Sequence, residues 1–263
     1  SCAPETVIDG GGQGNAVEIL AEAITFSGCQ VRNWGKDLNE LDAGIFVARE
    51  AQGSVVENNR LQGPAFGVWL DATPDVTVRE NHIRGDTSLR SQDRGNGIHL
   101  FNTTGALIEG NDISETRDAI YIETANRNTI RGNVMSDLRY GIHYMYSMHN
   151  LLENNVTRGT RTGYALMQSK YLKVFNNRSE NDENYGILMN FITNSELRNN
   201  VVTGVSQGQS AGVVISGAEG KAVFIYNSLY NTFEGNYFGH SNIGIHLTAG
   251  SEENQVFNNA FVE

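Results

Sequence analysis

The feature that most constrains this chain is a repeat. A Gly-aliphatic pair recurs at Gly44-Ile45, Gly67-Val68, Gly97-Ile98, Gly141-Ile142, Gly186-Ile187, Gly212-Val213 and Gly244-Ile245, with Ala119-Ile120 and Gly163-Tyr164 filling the gaps. The spacing is nearly constant from Gly97 through Gly186 and stretches on either side of that stretch. An asparagine follows at a nearly fixed offset at Asn59, Asn81, Asn111, Asn133, Asn155, Asn177, Asn200 and Asn259. The exception is Asn236, which trails Gly212 by a much longer interval. Self-similarity at this period marks a solenoid in which each unit buries its apolar face only against its neighbours.

Alternation inside each unit has period two, which makes the segments strands. Three columns are apolar and expected to face inward. The first follows the glycine (Ile45, Val68, Ile98, Ile120, Ile142, Ile187). The second lies two positions on (Val47, Leu70, Leu100, Ile122, Tyr144, Leu166, Met189), and the third three before the asparagine (Val56, Val78, Ile108, Ile130, Leu152, Val174, Leu197). The expected fold is all-β: a single-stranded, right-handed parallel β-helix of about 10–11 coils with a period of about 22–23 residues and an asparagine ladder. Stacked coils repeat every ~4.8 Å. An asparagine at each corner is expected to supply the αL bend while bonding neighbouring amides. A leucine-rich-repeat horseshoe would need a helical segment with its own leucines in each unit, and none is visible. The composition agrees, with 29 glycines and 30 asparagines against 3 prolines.

A formal charge of −11 argues against a nucleic-acid backbone or an anionic lipid surface as the main partner. No apolar run approaches the ~20 residues of a membrane span. The outward residues Glu57, Arg79, Glu109, Arg131 and Glu153 alternate in sign and read as a surface charge ladder. The chain is read as one β-helix domain over 1–263, with insertions at about 85–96, 204–211 and 217–231 and an irregular loop at Asp37–Asp42. Neither end shows the polar cap of a solenoid, so the chain is expected to be a fragment lacking coils and, at its start, a signal peptide.

The outward column two after the glycine reads Phe46, Trp69, His99, Tyr121, His143, Ala165, Leu188, Val214, His246. An exposed stripe this aromatic would mark a binding surface, unless a loop folds over it. Phe46, Trp69, His99, Phe101 and Tyr121 are therefore the candidate partner-binding residues. The next outward column carries Met145 and Met167 on consecutive coils, with His143 two positions before Met145 and Met148-His149 just beyond. Thioethers beside imidazoles suit Cu(I). The metal candidates are His143, Met145, Met167, Met148 and His149, against the alternative of a Met-rich protein contact. Zinc lacks a three-ligand spacing here. Cys2 and Cys29 could meet on adjacent coils, joined or as free thiols.

Several words go beyond a generic β-helix: Arg139-Tyr-Gly-Ile-His-Tyr-Met-Tyr-Ser147, Gly163-Tyr-Ala-Leu-Met-Gln-Ser169 and Tyr185-Gly-Ile-Leu-Met-Asn190. So do Arg94-Gly-Asn-Gly-Ile-His99, Gly217–Asn227 and Ile243–Ser251. Across nearly the whole chain these resemble the NosD family of periplasmic β-helical proteins. That resemblance implies export to the periplasm and association with the membrane and nucleotide-binding subunits of an ABC transporter. It also implies work with a copper-delivering lipoprotein on the copper sites of apo nitrous oxide reductase. The expected role is a non-catalytic scaffold for copper-site maturation, with copper as Cu(I) handled near His143, Met145 and Met167.

The rival reading is a β-helical polysaccharide lyase, hydrolase or epimerase, or a non-catalytic carbohydrate- or protein-binding solenoid such as an adhesin. Such an enzyme needs clustered carboxylates with a base, or a Ca²⁺ site. Asp86, Arg90, Asp93 and Arg94 share one insertion without a second acidic column, and the acidic surface would repel a polyanion. The fold alone decides nothing.

Overall fold

The computed structural model describes residues 1–3, 5–206 and 220–263. Short strands follow one another in a repeating order of three, and every pairing is parallel. Sheet 1 stacks ten strands from Val17–Ile19 to Ile243–Leu247, and most of the Gly-aliphatic pairs lie on them. Sheet 2 stacks ten strands that end two positions before the asparagines, from Thr25–Ser27 to Gln255–Phe257. Sheet 3 stacks eleven strands that follow the asparagines, from Val7–Asp9 to Ala260–Val262. This is the right-handed parallel β-helix, the hand that a parallel crossover adopts in about 98% of cases.

Register keeps like over like. Ile98, Ile120, Ile142, Tyr164, Ile187, Val223 and Ile245 pair in turn across sheet 1. From Ile98 to Val223 the residues of this column are essentially sealed from solvent. Tyr164 fits an aliphatic column because its hydroxyl donates toward the Asn155 and Arg178 carbonyls, both at 2.9 Å. The described chain thus forms one continuous core along the helix axis.

The asparagines run as an amide chain: each Nδ2 donates to the Oδ1 of the next coil's asparagine, from Asn59 through Asn81, Asn111 and Asn133 onward at 2.8–3.1 Å. Each Oδ1 also accepts the preceding asparagine's backbone N–H, so these buried amides are satisfied inside the wall. The αL bend, however, falls one position earlier than the sequence reading placed it. Asn58, Glu80, Asn154, Asn176 and Asn199 have φ near +55°, and Gly110 and Gly132 occupy the same position. The ladder asparagine itself leads directly into the next strand.

Two further readings are corrected. The coil assigned to Gly212-Val213 is built on Ala222-Val223: the strand Lys221–Tyr226 pairs with Tyr185–Asn190 before it and Ile243–Leu247 after it. This removes the anomaly at Asn236, which keeps the usual offset when it is measured from Ala222. Segment 217–231 therefore contains a regular sheet strand, and Phe224 takes the outward place given to Val214. Gly212, Val214 and most of 204–211 lie outside the described residues. Cys2 and Cys29, left open by the sequence, are joined in a disulfide that ties the first coils together. The charge ladder forms as pairs, Arg79–Glu57 at 2.6 Å and Arg131–Glu109 at 2.7 Å.

Candidate metal site on sheet 1

The outward face of sheet 1 aligns His99, Tyr121, His143 and Ala165 in one row, and Phe101, Glu123 and Met145 in the next. In the first row the rings stack from coil to coil. Centroids are 4.0 Å apart for Trp69–His99, 4.6 Å for His99–Tyr121 and 4.5 Å for Tyr121–His143. Ala165 ends the stack. The row points outward, yet it is not the exposed stripe that its composition suggested. Trp69 is 5% exposed, His99 4% and His143 9%, while Phe46, Phe101 and Tyr121 are half-buried. Large rings repeating at the strand spacing cover each other. At the N-terminal end, Leu38 and Leu41 of the 37–42 loop close over Ala43, Phe66 and Trp69 as a second apolar cluster outside the helix core.

A charged group missed by the sequence reading sits beside this row. Asp118, the first residue of its strand, is 1% exposed. It receives two hydrogen bonds from Arg139, Nε to Oδ1 at 2.8 Å and Nη2 to Oδ2 at 2.6 Å. Its Oδ2 lies 3.0 Å from Nδ1 of His143. Burial alone would push the Asp118 carboxyl up, but the bonds from His143 and Arg139 outweigh it and hold the group below the usual aspartate range. The signal was present: the residue before the pair is Ala43, Phe66, Asn96, Tyr140, Thr162, Tyr185, Lys221 or Ile243 in other coils, and Asp118 is the one acid among them.

The two buried histidines face different partners, and Nε2 of each is buried without a hydrogen bond. Asp118 only accepts, so His143 carries a proton on Nδ1, and its Nε2 is buried and has no hydrogen-bond partner. His99 faces the Glu123 carboxylate with Nε2 at 3.5 Å, and its Nδ1 accepts from the Asn96 amide at 3.2 Å. Burial pushes the His99 pKa down against the pull of Glu123. Tyr121, between them, is pushed up to about 12, first by burial and then by Glu123 and Asp118.

The five metal candidates divide into two groups. His143, Met145 and Met167 share the outer face of sheet 1. The in-register pair Tyr144–Leu166 places the methionines that follow them on adjacent strands, both half-buried. Met148 and His149 lie beyond, on the corner toward sheet 2. Met148 is 42% exposed, and His149 is exposed with its ring stacked on Tyr171 at 4.8 Å. Among the described residues, no three His, Cys, Asp or Glu side chains converge as a metal site. The available donors are therefore soft ones, two thioethers and one imidazole nitrogen.

A family model described as "Periplasmic copper-binding protein (NosD)" matches residues 79–263. Over 99% of its length the chain is 60% identical to a Pseudomonas aeruginosa protein named "Probable ABC transporter binding protein NosD". The chain belongs to the NosD family. A Stutzerimonas stutzeri protein of the same name is 54% identical over 99% of the chain. The chain spans 61% and 60% of the lengths of these NosD relatives.

Solved structures resemble it in fold alone. A GH87 α-1,3-glucanase catalytic unit from Streptomyces thermodiastaticus superposes with TM-score 0.67 at 15% identity, covering 94% of this chain and 50% of that one. The Streptococcus pneumoniae adhesin PfbA gives 0.61 at 10% identity, over 97% and 73%. The periplasmic alginate epimerase AlgG gives 0.59 at 12%, over 89% and 49%. Glycosidase, adhesin and epimerase share this architecture, so the NosD assignment rests on sequence. No described helix is long and apolar enough to cross a membrane.

Proposed function

We propose that this chain is a non-catalytic, periplasmic copper-handling scaffold that serves maturation of the copper sites of nitrous oxide reductase. Copper is its cargo. The observation that carries the reading is His143: its Nδ1 is pinned by Asp118, and its Nε2 is buried and unmatched, two positions from Met145 on the same strand. A neutral imidazole oriented by a carboxylate on its far nitrogen is the usual form of a ligating histidine. His143, Met145 and Met167 would hold Cu(I), whose soft, loose coordination they fit. Met148 and His149 lie farther out as an entry or exit point.

The partners in this reading are the membrane and nucleotide-binding subunits of an ABC transporter, a copper-delivering lipoprotein and apo nitrous oxide reductase. The family description and the relatives' names support the copper and the transporter association.

The test is an anaerobic Cu(I) titration against a competing chelator, with Met145→Ala/Met167→Ala alongside. Stoichiometric binding by the wild type and at least a 100-fold loss in a folded double variant are expected. Equal affinity in both would move copper off these strands, and no binding by the wild type would remove copper from the chain.

A further inference from the structure

Apart from Phe257 and Phe261 in the last coil, the exposed Tyr and Phe residues lie on the corner between sheets 1 and 2, away from the outward row. Two columns of αL residues line this corner. In the earlier coils they hold small or polar residues, Ala72, Asn102 and Thr124 in one, Asp75, Gly105 and Arg127 in the other. From Tyr146 to Tyr230 the same columns turn aromatic, with Gln168, Asn194 and Asn227 interleaved, and on the last coil they hold Gly250 and Glu253. Tyr146 and Phe191 stand in the first, His149, Tyr171 and Tyr230 in the second, all with φ between +52° and +58°. Bridges from Met148 to Lys170, Thr193 and Leu229 keep these turns in register, so the rings form one surface.

Two costs fall on the same residues. The left-handed region is unfavourable for bulky L side chains and suits Gly or Asn. Tyr146, Tyr171, Phe191 and Tyr230 are also 46–58% exposed, so packing does not return that cost. Met148 and Tyr226 extend the apolar surface, each 42% exposed. Contiguous exposed rings on a soluble scaffold mark a contact surface, and Tyr and Met are favoured at the centres of protein interfaces.

Charge identifies the occupant. The corner stretches 124–128, 146–150, 168–172, 191–195 and 226–231 contain Arg127 and Lys170 and no Asp or Glu, in a chain of formal charge −11; acids appear on the next coil, where Glu252 and Glu253 follow Gly250. Among the described residues, neither Arg127 nor Lys170 forms a salt bridge. We infer that this corner docks a partner protein through a segment that sets Asp or Glu side chains beside apolar anchors. The rings receive the anchors, and Arg127 and Lys170 receive the carboxylates. The inference needs no metal and stands apart from the copper reading.

The test places a photo-crosslinking phenylalanine analogue at Tyr171 or Phe191 of the full protein in cells, with Asn102 on the earlier coils as control, and maps adducts by mass spectrometry. The expected result is an adduct at both corner positions and not at Asn102. The captured peptide should contain Asp or Glu next to apolar residues, and Arg127→Glu/Lys170→Glu should lower the yield at least fivefold. A Tyr146→Asn/Phe191→Asn/Tyr230→Asn variant should keep or raise Tm while losing the adduct formed from Tyr171. Equal labelling at Asn102, a lipid or saccharide adduct, a captured peptide without acidic residues, or no adduct would each overturn the inference.

Discussion

The outward row of sheet 1 and the corner next to it carry the same kinds of side chain and have opposite fates. On the flat of the sheet, Trp69, His99, Tyr121 and His143 repeat at the strand spacing, and each ring lies against the next within 4.0–4.6 Å. The row shields itself and Leu38 and Leu41 close its end. On the corner, Tyr146, Tyr171, Phe191 and Tyr230 sit on αL turns and remain about half exposed. Direction away from the core is therefore not exposure. A flat row of rings makes a second packed layer that can hold a buried charge, while a turn presents its rings for contact.

The largest effect should come from the packed layer. Trp69→Ala removes a ring that is 5% exposed, and a deletion of this kind costs about 3–5 kcal/mol. Chemical denaturation should show that loss. A change below about 1 kcal/mol, the usual scale for surface positions, would put the row on the outside and erase the contrast.

Asp118→Ala tests the charge held in that layer. It strands the partly buried Arg139 and frees Nδ1 of His143, and breaking such a pair costs roughly 3 kcal/mol or more. The ¹⁵N shifts of His143 in metal-free protein should show Nδ1–H in the wild type and mixed tautomers in the variant. An unchanged tautomer would mean that the carboxylate does not orient the ring.

A smaller effect should appear with pH. His99 and Asp118 both have folded pKa values below their ordinary ones, so the fold favours the deprotonated form of each. Each contribution is complete above the unfolded value, about 6.5 for His and 3.9 for Asp, and is lost as pH falls through the lower folded value. Tm should therefore hold from pH 8 to 7 and begin to fall below about 6.5. His99→Gln should remove that first decline and leave the more acidic one. A wild-type Tm that rises on acidification to pH 5.5 would reverse the assigned direction.

The architecture was legible because a solenoid writes each contact many times. A glycine pair, three apolar columns and an asparagine fix the coil even when single units deviate. The one misplaced unit, Gly212-Val213 for Ala222-Val223, arose because alanine replaces the glycine just where the interval after Gly186 is stretched. The site was less legible because its decisive residue is not repeated. Asp118 occurs once in its column and acts through Arg139 and His143, whose approach depends on coil stacking. The burial of Trp69 was hidden for a related reason, since alternation gives the side of the sheet and not what lies over it. The corner rings were visible as residues, but their αL backbone appears only once the turns are built.

The smallest effect sharpens the comparison from the open side. Tyr230→Asn replaces a ring that is 58% exposed at φ +58° with a residue that tolerates αL. Little packing is lost and backbone strain is relieved, so stability should stay level or rise by up to about 1 kcal/mol, the scale of a compatible turn substitution. Tyr144→Asn is the internal control. It lies on the same coil as Tyr146, is fully buried, and should cost on the order of 3–5 kcal/mol for loss of a core ring. Denaturant midpoints for the pair decide the point. If Tyr230→Asn proved as damaging as Tyr144→Asn, the corner rings would be part of the packed structure, and their conformational cost would no longer call for a partner.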